Sequence, residues 1–500
     1  MGWNIKKVVK TVAFVTIFSC IERFVGFIYR IFLSRTLGAE MLGIYQITLS
    51  VVGVLVTLTA SGIPITVSRL MVKERTLNSK NGEIDIVWAG IITSLILSLP
   101  ITAALYFGRN VFSFIFADQR CYSLLLIILP SVVITAVYAV IRGFFWGKKY
   151  FFTYSLIELI EEVVMCVAGV ILVSRAVKTS LFDGGKMAAK SVMISYVVSF
   201  ILSSTVFALK GAKFSNPVSK MKQLVKSAAP ITAMRTLTSS LSSIIAVILP
   251  ARLIALGQSN EQVLGAFGQL TGMAIPLLYI PSTLIGSIAL VIVPRLSETF
   301  YKKRTDKLNE LIGLAFDYSL VIASLIVPVF ICAGKQIGTV VYSSPSAGSY
   351  LSVSAFMMLP MSLTMMSNSV LNSVNRENAT LINFFVGAIV MILCITLLPR
   401  FCGIYSLVIG CFLNYVINAV LNIVVLNKIT GKAKKYLAQA LGYAIACTVT
   451  VAFGSVLVKT LSAKLSAFWF TAVLGVVLVA FQALLLWVLG IFTPKKILLK

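Results

Sequence analysis

Of the 500 residues, 59% are hydrophobic and only 12% are charged, with a net charge of +27 and no histidine. That balance excludes soluble multi-domain and disordered classes and places the chain among polytopic membrane proteins. The absence of histidine removes most catalytic triads, imidazole bases and the commonest metal ligand.

Mostly apolar segments of twenty or more residues recur along the whole length, each long enough to cross a hydrocarbon layer of about 30 Å as a helix. Short alternating segments, the mark of a membrane barrel, are missing, so an all-α bundle is expected. The pattern predicts about fourteen spans, beginning near Val8, Met41, Ile84, Tyr122, Tyr150, Ala188, Met221, Glu261, Lys307, Ala347, Ala379, Gly403, Tyr436 and Ala467. The first apolar stretch follows Lys6, Lys7 and Lys10 as a secretory signal would. It carries a charge cluster and no small-residue cleavage site, so a retained helix is expected.

Within that first span, Thr16, Ser19, Arg23, Gly26 and Arg30 follow a 3,4,3,4 spacing and share one helical face. Phe14, Ile17, Ile21, Val25 and Ile28 form an apolar opposite face, and Glu22 lies off the arginine face. Burying either arginine without water or a partner would cost several kcal/mol, so a wet cavity or a carboxylate is implied. The second span holds "SGIPIT", in which Gly62 and Pro64 interrupt the helix and make candidate hinges. "GFFWGKK", Gly143 to Lys149, is near a nucleotide loop but has three residues between its glycines where that motif has four. It also has Lys149 where Ser or Thr is needed, so it reads as a connecting loop.

The fifth span stacks Tyr154, Glu158, Glu161 and Glu162 on one face. Three carboxylates on one membrane helix repel each other unless cations or protons join them, which makes Arg23 and Arg30 their expected partners. The seventh span carries Pro230, Arg235, Thr238 and Ser242 on a similar stripe, and the eighth has Pro276, Pro281 and Gly286 as further hinge candidates. Asp317 lies in the ninth, Asn368, Asn372 and Asn375 in the tenth, and Cys411, Asn414 and Asn418 in the twelfth. Structural ion pairs and interhelical hydrogen bonds are the plain alternative for these groups, at on the order of 1 kcal/mol each. The eight cysteines are scattered without CxxC spacing and suit packing; no metal site is expected.

No connection exceeds about twenty residues, so no soluble catalytic domain is inserted and the chain is not expected to be an enzyme. Polar breaks at Lys210–Lys226 and Asn427–Lys435 divide it into a six-helix lobe over 1–215, a second over 216–430 and a trailing helix pair over 431–500. A weak repeat agrees: Leu37-Gly38 recurs as Leu256-Gly257, Gly43 as Gly265, Arg69 as Arg295 and Pro130 as Pro360. Two halves of even helix number share one orientation, place a site near their interface at the midplane, and can rock between inward-open and outward-open states. With the N-terminus inside, inner segments hold 28 Lys and Arg against 12 in outer loops, while Arg23, Arg30 and Arg235 lie within spans. This positive-inside bias predicts both termini in the cytoplasm, and the dispersed charge argues against nucleic acid.

The ordered set Arg23-x-x-Gly26-Phe27-x-x-Arg30, Leu37-Gly38, Gly43-x-Tyr45, Gly62-x-Pro64 with Ser68, Arg142-Gly143 with Gly147, Glu161-Glu162-Val163-Val164, Pro230 with Arg235, and Val293-Pro294-x-Leu296-Ser297 resembles a known family. It is similar to the polysaccharide and lipid-linked oligosaccharide flippases of the multidrug/oligosaccharidyl-lipid/polysaccharide superfamily, nearest the stage V sporulation protein B branch, from about Lys7 to Asn427. The resemblance implies two six-helix lobes, an accessory helix pair, and alternating access that moves an anionic lipid-linked sugar, a cell-wall or polysaccharide precursor, across the bacterial inner membrane. It implies that Arg23, Arg30 and Arg235 bind diphosphate, to which the sequence reading adds Asn368 and Asn372. Glu158, Glu161 and Glu162 are expected to pair or couple charge. Expected partners are the lipid-linked sugar and membrane lipids, the expected unit is a monomer, and no cofactor is expected beyond a coupling cation such as Na+ or H+. Lipid II flippases carry an extra arginine well inside the second helix, whereas Arg69 here lies at that helix's end. An ion-coupled drug or cation exporter of the same fold and a membrane-embedded glycosyltransferase or polymerase are the rival readings.

Overall fold

The computed structural model describes residues 5–77, 82–210, 217–431, 435–461 and 466–491, and every regular element among them is a helix. Parts of the basic stretches (78–81, 211–216, 432–434, 492–500) and the side chains of Phe14 and Thr16 lie outside the described set. Helix is what an apolar solvent demands, because each backbone N–H and C=O must then be satisfied within its own segment.

Among the described residues twelve helices are long and apolar enough to cross a membrane, or thirteen if the pair Arg109–Ile115 and Gln119–Ile128, bent by 118°, counts as one span. The first runs 60 residues from Ile17 to Thr76, about 90 Å at helical rise and so far longer than one crossing. It is divided by its backbone. Helix α1 (Ile5–Ala60) breaks at Gly38, whose φ of 73° and ψ of 179° leave the helical region, and α2 (Ile63–Thr76) starts after a bend at Ser61–Gly62 with Pro64 in its first turn. With that helix divided at Gly38, and with the glutamate-bearing helix Phe151–Ala176 added, the count agrees with the expected number of about fourteen.

The chain forms two compact units, Met1–Ile254 with Gln258–Gly268, and Ala255–Gly257 with Gln269–Lys500. This division by contact differs from the expected division by duplication, since the helix Val218–Ala255, which lies beyond residue 215, falls in the first unit as far as Ile254. The repeated Leu-Gly pair keeps its backbone role in both places: Gly257, like Gly38, has positive φ, at 93°.

The first unit continues with α3 (Gly82–Phe107), α4 (Arg109–Phe112), α5 (Gln119–Ile128), α6 (Pro130–Gly147), α7 (Phe151–Ala176), α8 (Leu181–Leu209), α9 (Val218–Ala255) and α10 (Asn260–Phe267). Its core joins α2, α3, α6, α8 and α9 through Val67, Ile86, Val140, Phe144, Phe207 and Leu224. The segment expected as a loop at Gly143–Lys149 is helical as far as Gly147, a correction with a packing cause. A Cβ on Gly143 would fall 2.7 Å from the Pro64 carbonyl oxygen, so the glycines allow α6 to lie directly on α2.

The second unit comprises α11 (Ile275–Tyr301), α12 (Thr305–Tyr342), α13 (Pro345–Ser354), α14 (Met358–Ser373), α15 (Glu377–Leu397), α16 (Pro399–Cys402), α17 (Tyr405–Thr430), α18 (Lys435–Leu461) and α19 (Ala467–Val488). Pro276 stands in the first turn of α11, directly after a π-helical stretch at Gly268–Ala274, while the helix runs on through Pro281. Long α12 is the post on which α13, α18 and α19 pack, with Phe316 stacked on Tyr436 at 4.6 Å between ring centres.

Candidate functional site

Arg23, Gly26 and Arg30 lie on one face of α1, with Arg23 exposed and Arg30 partly so. Helix α7 packs against α1, and at Gly26 the contact is direct: Glu162 Oε1 occupies the space that a Cβ would fill. A carboxylate therefore rests on α1 one turn from each arginine, and of the two it is Arg30 that interacts with it. Tyr29, one turn on from Gly26 along the α7-facing side, is buried against Gly169 and bonds Ser191 Oγ at 2.9 Å, which ties α1 to α8 as well.

The other glutamates look elsewhere. Glu158 accepts from Arg142 Nη1 at 3.4 Å. The Arg142 guanidinium sits 5.9 Å from the Tyr138 ring, 5.8 Å from Trp146 and 6.0 Å from Tyr154, an aromatic setting that suits a planar cation. Glu161 Oε2 is buried with no hydrogen-bond partner among the described residues. Glu22, off the arginine face, still joins the group, since Glu158, Glu162, Arg23 and Arg142 all act on it. The expected pairing of the three glutamates with Arg23 and Arg30 is thus corrected: Glu162 takes the α1 side, and Glu158 takes Arg142. The sequence places Arg142 in the family pattern, beside a segment expected as a loop, without giving it a partner. Its signal was present, because Tyr138, Arg142 and Trp146 recur at i, i+4 and i+8 on α6.

Arg235 is positioned by a different contact. It is exposed on α9 and donates from Nη1 to the Ser61 carbonyl at 3.2 Å, at the bend between α1 and α2. Gly62 fits directly against α9, where Thr232 and the Ala228 carbonyl occupy the place of a Cβ. Arg23 lies six residues into the apolar run that starts at Ile17, and Arg235 fifteen residues into the run that starts at Lys220, so both guanidiniums fall inside candidate spans.

In the second unit, Asn368 and Asn372 part company. Asn422 donates to Asn368 Oδ1 at 2.7 Å and to Ser367 Oγ at 3.0 Å, and accepts from Asn383 at 2.8 Å, so Asn368 belongs to an amide network joining α14, α15 and α17. Asn372 is exposed and accepts from Thr380 at 3.2 Å. Asn383 and Asn422, which complete the network, were not singled out by spacing. Asn414 and Asn418 pack under Gly387.

Fold and site together define a polytopic helical membrane protein that carries guanidinium and carboxylate groups on its long apolar helices. The structure is similar to that of the lipid II flippase MurJ in an inward closed conformation (TM-score 0.70, 16% identity, 95% of this chain and 99% of that one). It is also similar to an inward-facing multidrug resistance MATE family transporter of the MOP superfamily (TM-score 0.69, 15% identity, 83% and 96%). In sequence it is 25% identical to stage V sporulation protein B of Bacillus subtilis (strain 168) over 386 residues, 74% of this chain and 73% of that protein. Sporulation protein YkvU of the same organism is 21% identical over 315 residues, 60% and 68%. The chain belongs to the polysaccharide biosynthesis protein family, whose sequence profile matches residues 8–300.

Proposed function

We propose that this protein is a flippase that moves an anionic, diphosphate-linked saccharide lipid across the bacterial inner membrane by alternating access. The α1 face carries this reading. Arg23 and Arg30 stand seven residues apart, about 10 Å along the helix, with Arg23 open to a ligand. Guanidinium forks match phosphate oxygens in two-pronged fashion, and a cation within a span is costly unless it meets an anion or water. Arg235 uses one nitrogen on Ser61 and keeps further donors for the same ligand class. Family membership and the likeness to a lipid II flippase support a lipid-linked saccharide as cargo. The excess of basic residues in alternate connections supports cytoplasmic termini. In this account two six-helix lobes form the transport unit of a monomer, and Glu161 and Glu162 exchange charge with a coupling cation, Na+ or H+.

A second reading rests on Glu22, Glu158, Glu161 and Glu162. Four carboxylates near three guanidiniums also suit an ion-coupled exporter of organic cations, and the MATE likeness shares that fold. Proteoliposomes separate the two. Translocation of a fluorescent polyprenyl-diphosphate saccharide with no uptake of a lipophilic cationic dye supports the flippase; dye transport with no saccharide movement supports the exporter.

A further inference from the structure

The second unit presents a surface of different chemistry. On α11, Tyr279, Thr283 and Ser287 recur at i, i+4 and i+8 and share one helical face. All three are exposed, Tyr279 by 47%. Tyr279 lies near the middle of the 42-residue helical run Asn260–Tyr301. A hydroxyl at that depth with only acyl chains around it would be left unsatisfied. Here it meets the Tyr415 hydroxyl of α17 at 3.1 Å, and the Tyr415 carbonyl accepts from Thr364 Oγ1 of α14 at 2.8 Å, so the phenol pair is held by three helices.

The bonds already made leave a defined capacity. One phenolic proton closes the tyrosine pair and the other is free to donate. Thr283 donates to the Ile280 carbonyl at 2.7 Å and Ser287 to the Thr283 carbonyl at 2.9 Å, so both hydroxyls face outward as acceptors. Between Glu261 and Arg295 the sequence carries no charged residue. The face is therefore an aromatic ring beside neutral donors and acceptors, with nothing to attract a phosphate. Sugars are its chemical complement: apolar C–H faces that lie on aromatic rings, and hydroxyls that donate and accept.

We propose that the Tyr279–Thr283–Ser287 face, with Tyr415, binds the uncharged sugar of the transported lipid. The inference rests on the flippase reading and adds to it the residues that recognise the saccharide. It is tested by native mass spectrometry of the full-length protein with two probes, a polyprenyl diphosphate and the same lipid carrying N-acetylglucosamine. Wild type is expected to prefer the glycosylated probe by roughly tenfold, the effect of two or three neutral hydrogen bonds. Tyr279→Phe combined with Thr283→Val is expected to abolish the preference and leave affinity for the bare diphosphate unchanged, at an unaltered melting temperature. Thr283→Ser, which keeps the acceptor, is expected to retain it. A double variant that keeps the preference, or that loses both probes equally, overturns the sugar site. Wild type that binds both equally does so as well, with the flippase reading intact. Wild type that binds neither overturns the flippase reading and this inference with it.

Discussion

Glu162 and Gly26 interlock: the carboxylate oxygen of α7 fills the volume that any side chain at position 26 of α1 would need. The contact sets a negative charge one turn from both Arg23 and Arg30. It explains why a glycine stands between them in a helix where alanine would be favoured by roughly 1 kcal/mol.

Gly26→Ala is therefore expected to displace Glu162 and to reduce translocation in proteoliposomes, although its intrinsic helix propensity is better. The obstruction is the far end of a flexible side chain that can swing aside, so the melting temperature of Gly26→Ala is expected to stay close to wild type while transport falls. Full transport by Gly26→Ala would show that the contact is slack.

Arg142 and Glu158 form the clearest ion pair within this group, with side chains 29% and 22% exposed. Removing one partner strands the other in a poorly solvated setting, so Arg142→Ala is expected to destabilise by about 3 kcal/mol in thermal or denaturant unfolding. Arg142→Met with Glu158→Gln should cost clearly less than Arg142→Ala. Arg142→Lys should recover only part of the loss, because an ammonium lacks the planar face that lies among Tyr138, Trp146 and Tyr154.

At the α1–α2 bend, the atoms that crowd a Cβ on Gly62 include the Ala228 carbonyl oxygen at 2.7 Å and the Thr232 nitrogen at 2.9 Å. Backbone cannot yield as a side chain does. Gly62→Ala is expected to impair transport, and Thr232→Ala is not expected to rescue it. Rescue would place the obstruction in the Thr232 side chain alone.

A further polar network joins Glu40, Asp118, Arg120 and Asn260. Asp118 caps α5 by accepting from the Arg120 backbone at 2.7 Å, and also accepts from Asn260 at 2.6 Å and from the Arg120 guanidinium, which bonds Glu40 in turn. Asp118→Ala removes both cap and hub and is expected to cost about 1–2 kcal/mol. Glu40→Gln, at the more exposed rim, should cost less. Comparison of melting temperatures checks the order.

Much of this was legible in the sequence because a membrane reduces folding choices to helices and their interruptions. The start expected near Glu261 falls one residue from that of α10, Ala467 begins α19, and Gly62 with Pro64 marks a real bend. What resisted was tertiary. Helical spacing aligned Glu158, Glu161 and Glu162 on one face, but which cation each meets depends on the rotation of α6 and α1 against α7. Arg142 stands in the family pattern, but its pairing with Glu158 is hidden because the adjoining "GFFWGKK" resembles a loop in composition, and only packing against α2 shows why that segment remains helical. Asn368 and Asn372 lie one turn apart on α14, yet a modest angular offset turns one into the amide network and the other outward. The π-helical stretch before Pro276 has no sequence signature at all.

The account depends most on Arg23 gripping the substrate's diphosphate. The direct measurement is the initial rate of translocation of a polyprenyl-diphosphate saccharide in proteoliposomes holding equal amounts of folded wild type, Arg23→Lys or Arg23→Ala. A rate lowered at least tenfold in Arg23→Ala, equivalent to about 1.4 kcal/mol, and only partly in Arg23→Lys is predicted. An Arg23→Ala protein that transports at the wild-type rate would contradict it.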